Sequence, residues 1–386
     1  MYNREMLSQP PLVSIVTPTY NAGRFLKESI ESVLDQDYPN IEYLVVDSHS
    51  TDDTESILNR YSGRLRIIRT LRQGPASAIH TGLSQAQGSI IAWLNADDKY
   101  APQAVRSAVE AFLEQPDADV VYGDADWIDA GGGLIRRYPT IPFDPRVLER
   151  DCFISQPASF LRASAYRDCT LDESLPVSFD YDLWIRLARL RRGFQYIPRK
   201  LASSRMHREC LTLAQRRQVF EVTMDLLKRH YGYIPLSWIF GYLSYRWDGR
   251  DQFFEPLRFS LGVFAASVSL GIAWNPTKPV RVVRDAAVTA ARGLRRQFSN
   301  LASRFHAAMP TETAIVPAPP EAHTQVVMSP GMLEEAPFAP SSGQLPGAPY
   351  KIGLMRPDQD DSFAQGSTRQ GSSVEQRVSA ARITNL

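Results

Sequence analysis

The sequence predicts an α/β fold with a mostly parallel central sheet and helices on both faces. Short apolar runs that end in turn residues or acids alternate with longer amphipathic segments from residue 11 to about residue 124. The runs are typical of buried strands, and the segments between them are long enough for crossover helices. Parallel strands need such crossovers, so this alternation predicts a largely parallel sheet.

The run that organises the prediction covers residues 89–94 and is followed by the adjacent acids Asp97 and Asp98. Burying two carboxylates within a strand would cost much free energy, so we expect both acids just past its C-terminal end. Ligands bind at that edge of an open parallel sheet. Two carboxylates there suit a divalent cation that bridges to a diphosphate. A polar turn that closes the strand is the alternative interpretation.

Two earlier strands are expected to end at the same edge. The first covers residues 11–17 and leads into a turn made of Pro18, Thr19, Tyr20 and Asn21. The second covers residues 41–46 and stops at Asp47. Ser50, with Asp53 three positions later, predicts a capping box that opens a helix at residue 54.

The regular alternation breaks after residue 126. Three glycines at 131–133 predict a hairpin tip within an antiparallel insertion, and short strands are expected at 195–198 and 201–206. A helix is expected to begin near Asp180. From about residue 310 the composition turns to Pro, Ala, Ser, Gly and Gln without periodicity, which is typical of disorder.

These patterns divide the 386 residues into four parts. We expect an N-terminal arm (1–10), a catalytic domain (11–213), a helical extension (214–305) and a disordered tail (306–386). The net charge of +1 indicates no bulk attraction to nucleic acid. Three cysteines without metal-ligand spacing and the lack of a signal-peptide core favour the cytoplasm.

The helical extension has an unusual composition. Residues 234–247 are rich in aromatics, residues 259–274 are apolar but too short for a membrane span, and several arginines follow. Apolar helices flanked by arginine are typical of segments that lie in a membrane interface. The alternative is that these helices pack on the catalytic domain or on a second subunit in a homodimer.

Three segments together resemble the family 2 glycosyltransferases. They are Val-Ser-Ile-Val-Thr-Pro-Thr-Tyr-Asn at 13–21, Val-Asp-Ser-His-Ser-Thr-Asp-Asp-Thr at 46–54, and Leu-Asn-Ala-Asp-Asp at 94–98. The resemblance covers about residues 11–207. It implies a Rossmann-like GT-A fold and an inverting enzyme that uses a nucleotide-sugar donor.

The resemblance also implies roles for individual residues. The implied cofactor is Mg²⁺ or Mn²⁺, with Asp98 and His207 as its ligands, and Asp180 is the implied catalytic base, ahead of Asp182. By the same resemblance, the donor nucleotide-sugar would be bound by Pro18, Thr19, Tyr20, Asn21, Asp47, Gly74, Ala78, Asn95 and Asp97.

The resemblance implies a sugar transfer from a nucleotide-sugar, a UDP-sugar in our interpretation, to a glycan or lipid-linked acceptor at the inner face of the plasma membrane. Two positions depart from the family pattern: Asn95 replaces the first acid of an acid-X-acid motif, and Ser77 replaces a frequent acid. These departures keep an inactive scaffold as an alternative. A nucleotidyltransferase is a second one, although its glycine-rich phosphate loop is missing.

Overall fold

The computed structural model describes residues 10–249, 251 and 260–291. The described residues form nine strands in one sheet, in the order β3-β2-β1-β4-β8-β6-β9-β5, with β7 paired to β6. The strands are β1 (Val13–Thr19), β2 (Ile41–Asp47), β3 (Arg66–Arg69), β4 (Ile90–Trp93), β5 (Lys99–Tyr100), β6 (Val120–Ile128), β7 (Leu134–Arg137), β8 (Ser159–Arg162) and β9 (Phe194–Arg205).

The helices lie between these strands and after them. They are α1 (Gly23–Leu34), α2 (Thr54–Arg60), α3 (Pro75–Ser84), α4 (Ala104–Glu114), α5 (Pro145–Leu148), α6 (Ala163–Asp168), α7 (Phe179–Arg189), α8 (Leu211–Ala214), α9 (Arg216–Tyr231), α10 (Leu236–Asp248) and α11 (Leu261–Trp274). A short 3₁₀ turn covers Gln156–Ala158, and a further helical stretch covers 279–291.

The predicted α/β class is confirmed. Strands β1, β2, β3 and β4 pair in parallel, as the alternating pattern predicts. Beyond β4 the sheet is mixed, because β8 runs antiparallel to both β4 and β6, while β6 and β9 are parallel again. The antiparallel part comes from the insertion after residue 126 and from the return of β8 into the middle of the sheet.

The core consists of two apolar layers, one on each face of the sheet. Alternate residues of one strand point to opposite faces, and Val16 and Ile15 accordingly belong to different clusters. One cluster packs the sheet against α3 and α7, and the other packs it against α1 and α4. Helices on both faces therefore hold the C-terminal ends of β1 and β4 in fixed positions.

Two local predictions need correction. Ser50 does not cap α2: its hydroxyl donates to Oδ1 of Asp47 at 2.6 Å, and the backbone N–H of Thr54 instead donates to Oδ1 of Asp52 at 3.1 Å. The two strands expected at 195–198 and 201–206 form the single strand β9, with a register shift where it passes Gly123 and Asp124 of β6.

The C-terminal helices pack on the α/β core. The indole Nε1 of Trp238 in α10 donates to the carbonyl of Arg150, and the Arg150 guanidinium pairs with Asp285 at 3.0 Å. Among the described residues, no helix is long and apolar enough to cross a membrane. Residues 1–9, most of the predicted arginine-rich stretch and the predicted disordered tail at 306–386 lie outside the described residues.

Helix α3 approaches the sheet closely at Gly82. An added Cβ there would lie 2.5 Å from Val16 Cγ1 and 2.9 Å from Val46 Cγ2. Such distances require a shift of the helix, because both valines are themselves buried in the sheet. The missing side chain therefore lets α3 bring its N-terminal turn to the ends of β1 and β2.

We predict that Gly82→Ala lowers the free energy of unfolding by about 1–3 kcal/mol through overpacking. Gly63→Ala is the matched control, since Gly63 has open space around it, and its effect should stay within about 0.5 kcal/mol. Urea unfolding of both variants measures the difference. Equal stabilities would contradict the close approach.

Candidate functional site

One cavity of about 1170 Å³ opens at the C-terminal ends of β1 and β4. Its wall combines the turn after β1, the N-terminus of α3 and the turn at residues 95–98 after β4, here called the acid turn. Segments near residues 151–157, 173–181 and 204–216 complete the wall. The predicted site residues in this wall are Pro18, Thr19, Tyr20, Asn21, Gly74, Ala78, Asn95, Asp97, Asp98, Asp180 and His207. The fold therefore collects side chains from distant parts of the chain into one crevice.

Asp47 is the predicted site residue that the wall does not include. Its neighbour Ser48 lines the cavity, but the Asp47 side chain is buried and has protein partners on both oxygens. Oδ1 accepts from the backbone N–H and hydroxyl of Ser50, and Oδ2 accepts from Arg69 at 3.4 Å. A ligand contact of Asp47 stays a prediction, and it would require Arg69 to release this carboxylate.

The turn after β1 and the start of α3 form one end of the cavity. The Arg72 guanidinium lies 4.1 Å from the centroid of the Tyr20 ring and donates to its hydroxyl at 3.2 Å. Gly74, with φ of +101°, adopts a backbone conformation that side chains disfavour and leads directly into α3. The buried hydroxyl of Thr19 has no hydrogen-bond partner among the described residues. A flat aromatic face and an unsatisfied hydroxyl therefore border this end.

Asn21 lines the cavity, but its side-chain oxygen already accepts a hydrogen bond from the protein. Its Oδ1 accepts from the backbone N–H of Thr51 at 2.8 Å, and its own N–H donates to the Ser50 hydroxyl at 2.9 Å. These bonds join the turns after β1 and β2. The side chain therefore braces the site, and a direct ligand contact of Asn21 stays a prediction.

The two adjacent acids have different surroundings. Asp98 is 3% exposed; its Oδ1 accepts from the backbone N–H of Arg205 at 2.8 Å, and its Oδ2 accepts from Asn95 Nδ2 at 3.1 Å. Burial and the neighbouring Asp97 charge raise the pKa of the Asp98 carboxyl. The Asp97 side chain is 23% exposed, and its Oδ2 lies 2.9 Å from Nε2 of His207.

Asp97 rather than Asp98 presents its carboxylate beside His207, and the ligand pair Asp98 and His207 stays a prediction. Among the described residues, no group of three or more His, Cys, Asp or Glu side chains is arranged to hold a metal. Mg²⁺, however, is usually bound through one or two carboxylates together with substrate phosphates. Asp97 Oδ2 and His207 Nε2 lie 2.9 Å apart and form a hydrogen bond, so a cation held by both side chains would replace that hydrogen bond. Asp97 would then supply a carboxylate oxygen and His207 an imidazole nitrogen.

The amide of Asn95 makes two hydrogen bonds that an acid at this position could not donate. Its Nδ2 group donates to Asp98 and also to Oε1 of Gln156 at 3.2 Å. Nε2 of Gln156 in turn donates to the carbonyl of Trp93 at 2.7 Å. An aspartate at position 95 would place a second negative charge against Asp98 and leave Oε1 of Gln156 without this donor. The amide therefore orients Asp98.

Arg205 holds the acid turn through hydrogen bonds to Asp97 and Asp98. Its guanidinium is 2% exposed and donates to the backbone carbonyls of Asp97, Asp129 and Ala130 and to the carboxylate of Glu28. These contacts use the donors of the guanidinium within the protein. Arg205 therefore positions the site.

Asp180 lies in another part of the wall, in the first turn of α7. Its side chain is partly exposed, and burial by the surrounding protein raises the pKa of its carboxyl. This outweighs the lowering that its helix N-terminal position favours. The carboxylate is consequently a stronger base than an ordinary aspartate.

The second candidate base, Asp182, is excluded by its contacts. It is 2% exposed, lies outside the cavity wall and accepts from Arg186 Nε at 2.6 Å and from His230 Nε2 at 2.7 Å. Burial alone would raise the pKa of Asp182, but the His230 hydrogen bond and the Arg186 charge bring it below the usual value. It is a structural ion pair.

Several wall residues come from α9 and α10, which the sequence assigns to a separate extension. Arg216, Val219, Thr223 and Trp238 all line the cavity. No local motif marks them; Thr223 contacts Ser178 at the start of α7, and Trp238 contacts the carbonyl of Arg150. The helical extension is therefore part of the site itself.

We predict that Asn95→Asp, which restores the acid-X-acid motif, lowers the free energy of unfolding by about 1–3 kcal/mol at neutral pH. The reason is carboxylate repulsion 3.1 Å from Asp98. The double variant Asn95→Asp/Asp98→Asn restores one donor and one acceptor and should recover much of this loss. Chemical denaturation without added metal measures both, and a single variant as stable as the wild type would contradict the network.

The chain is similar in sequence to known glycosyltransferases. The family model for glycosyl transferase family 2 matches residues 14–168. An uncharacterized glycosyltransferase of Rickettsia felis is 30% identical over 214 residues, which cover 52% of this chain and 35% of that protein. Chondroitin synthase of Escherichia coli is 28% identical over 254 residues, which cover 63% of this chain and 37% of the synthase.

The chain thus spans about a third of the length of these curated relatives. The crystal structure of S. aureus TarS 1-349 in complex with UDP-GlcNAc is similar in fold, with a TM-score of 0.50 and 17% identity. That similarity covers 73% of this chain and 92% of the TarS chain. Residues 14–168 therefore match the family model for glycosyl transferase family 2, and in this part the chain is similar to that family.

Proposed function

We propose that this protein transfers a sugar from a nucleotide-sugar, a UDP-sugar, to a hydroxyl of a polysaccharide or lipid-linked acceptor, with inversion. The observation that carries the proposal is the single cavity that contains both the Asp97–His207 pair and the Asp180 carboxylate. An inverting displacement needs charge neutralisation at the leaving diphosphate and a base for the incoming hydroxyl. Relatives named for chondroitin and O-antigen synthesis support a polysaccharide product.

The donor would lie between the turn after β1 and the start of α3. The Tyr20 ring, held by Arg72, offers a face for the nucleobase, and the Thr19 hydroxyl offers an unused hydrogen bond. The N-terminus of α3, which begins after Gly74, favours negative charge through its free N–H groups. Both features suit a nucleoside diphosphate.

Asp97 and His207 would hold Mg²⁺ or Mn²⁺ beside the diphosphate. Such a cation supplies Lewis-acid stabilisation of the leaving group. Asp98 and Asn95 would keep the acid turn in place, since their hydrogen bonds fix it to Arg205 and Gln156. In this division of roles, Asn95 would serve the site through its hydrogen bonds rather than as an acid.

Asp180 would accept the proton of the acceptor hydroxyl as that oxygen attacks the anomeric carbon. Its raised pKa makes the Asp180 carboxylate a better proton acceptor than an ordinary aspartate. The cavity volume of about 1170 Å³ exceeds the roughly 300–1,000 Å³ of common small-ligand pockets. It therefore offers room for an acceptor beside the donor.

We predict that Asp180→Asn lowers transfer by at least about 100-fold, because general-base catalysis contributes 10²–10⁴-fold. Donor binding should be unchanged. In the wild type, activity should fall with decreasing pH at a pH above the ordinary aspartate pKa of about 3.9, since the raised pKa protonates the base earlier. Initial rates with labelled UDP-sugars measure this, and full turnover by the variant would contradict the assignment.

We further propose that the C-terminal helices contact the inner face of the plasma membrane. Exposed apolar side chains lie on α11 and the 279–291 stretch, including Leu261, Val280 and Val283, and Arg284 is exposed beside them. Apolar contact with a basic flank suits an anionic lipid surface. A homodimer through the same surface is the alternative.

Sedimentation with anionic vesicles tests the membrane proposal. The change Val280→Asp/Val283→Asp should reduce the bound fraction, since it replaces apolar contacts with charges that anionic lipid repels. Leu134→Asp, at another exposed apolar position, is the control and should bind as the wild type does. Equal binding of all three proteins, or a concentration-dependent dimer that the double change disrupts, would contradict lipid contact.

A further inference from the structure

The residue two positions before the proposed base has an unusual backbone. Ser178, the N-cap of α7, has φ of +58° and ψ of 20°, in the left-handed region. Non-glycine residues rarely adopt this region, and they persist there where surrounding structure enforces it. Within the described part of the chain, the Ser178 side chain makes no capping hydrogen bond to α7. A serine at this position would ordinarily contribute about 1 kcal/mol as a cap.

The Ser178 hydroxyl is instead directed at another helix. It lies 2.9 Å from the hydroxyl of Thr223, which is 1% exposed on α9. Both side chains belong to the wall of the cavity. Helix α9 therefore holds the strained turn that leads into Asp180. The Ser178 hydroxyl makes this contact instead of a capping hydrogen bond to α7.

A second contact between the same helices lies on the other side of Asp180. Asp182 accepts from His230 of α9 at 2.7 Å. Thr223 and His230 are about two helical turns apart, and Ser178 and Asp182 are about one turn apart. Helix α9 thus holds the first turn of α7 both before and after the carboxylate that faces the cavity.

We propose that Thr223, acting through Ser178, is a positioning residue that sets the direction of the Asp180 carboxylate toward the acceptor hydroxyl. The proposal rests on the proposed role of Asp180 as the base. Both helices lie beyond residues 14–168 that the family model matches. The alignment of the base would then be supplied by a part of the chain outside the matched domain.

The test uses initial rates of the full chain with a UDP-sugar and its acceptor. Thr223→Val removes the hydroxyl at nearly constant shape and should lower kcat about 10- to 100-fold, since a misplacement of 1 Å can cost 100-fold. The donor KM should not change, because the donor end of the cavity is untouched. Thr223→Ser keeps a hydroxyl and should retain kcat within about 3-fold of the wild type.

Ser178→Gly separates positioning from stability. Glycine relieves the left-handed strain but leaves the buried Thr223 hydroxyl without this partner, so the melting temperature should stay close to that of the wild type, while kcat should fall as in Thr223→Val. Arg191→Gly is the matched control: Arg191 has φ of +57°, is exposed and lies outside the cavity wall. It should gain stability without a change in kcat.

The combined variant Ser178→Gly/Thr223→Val should be no slower than either single variant, because both remove the same contact. Wild-type kcat in Thr223→Val, or a loss of kcat only in proportion to lost stability, would overturn the proposal. Asp180→Asn is measured beside them: if it retains transfer, the proposed base fails. If it abolishes transfer while Ser178→Gly and Thr223→Val are fully active, only the positioning role fails.

Discussion

The buried guanidinium of Arg205 is the constraint on which the site depends. A buried charge costs several kcal/mol unless it is paired and hydrogen-bonded, and Arg205 finds partners in three separate parts of the chain. It binds Glu28 of α1, the carbonyl of Asp97 in the acid turn and carbonyls of the hairpin between β6 and β7. The acid turn, the first helix and the antiparallel insertion therefore adopt one arrangement around a single side chain.

The two adjacent carboxylates of the acid turn, Asp97 and Asp98, have different hydrogen-bond partners. Both acids line the cavity, but both oxygens of Asp98 accept hydrogen bonds from the protein, whereas Asp97 meets His207 there. From the sequence alone the two acids are equivalent in type, and the resemblance assigns the metal to Asp98. Only the three-dimensional partners of each oxygen separate them, because both acids follow the same strand.

Much of the fold could be predicted because its signals are local. The apolar run at 89–94 and the turn residues after β1 mark strand ends, and parallel pairing then places those ends together. The missed features depend on partners far along the chain. Ser50 has a capping-box spacing but bonds to Asp47, and Thr223 meets Ser178 only because α9 packs on α7. No periodicity in a single sequence reports such contacts.

In the proposed function, one cavity holds a cation-dependent diphosphate site at Asp97 and His207 and a separate base at Asp180. Calorimetric titration of UDP with and without Mn²⁺ tests it most directly, using the wild type, Asp97→Asn and Asp180→Asn. We expect Mn²⁺-dependent binding in the wild type and Asp180→Asn, and loss of that dependence in Asp97→Asn. Equal Mn²⁺-dependent binding by all three proteins, or loss of UDP binding in Asp180→Asn, would contradict it.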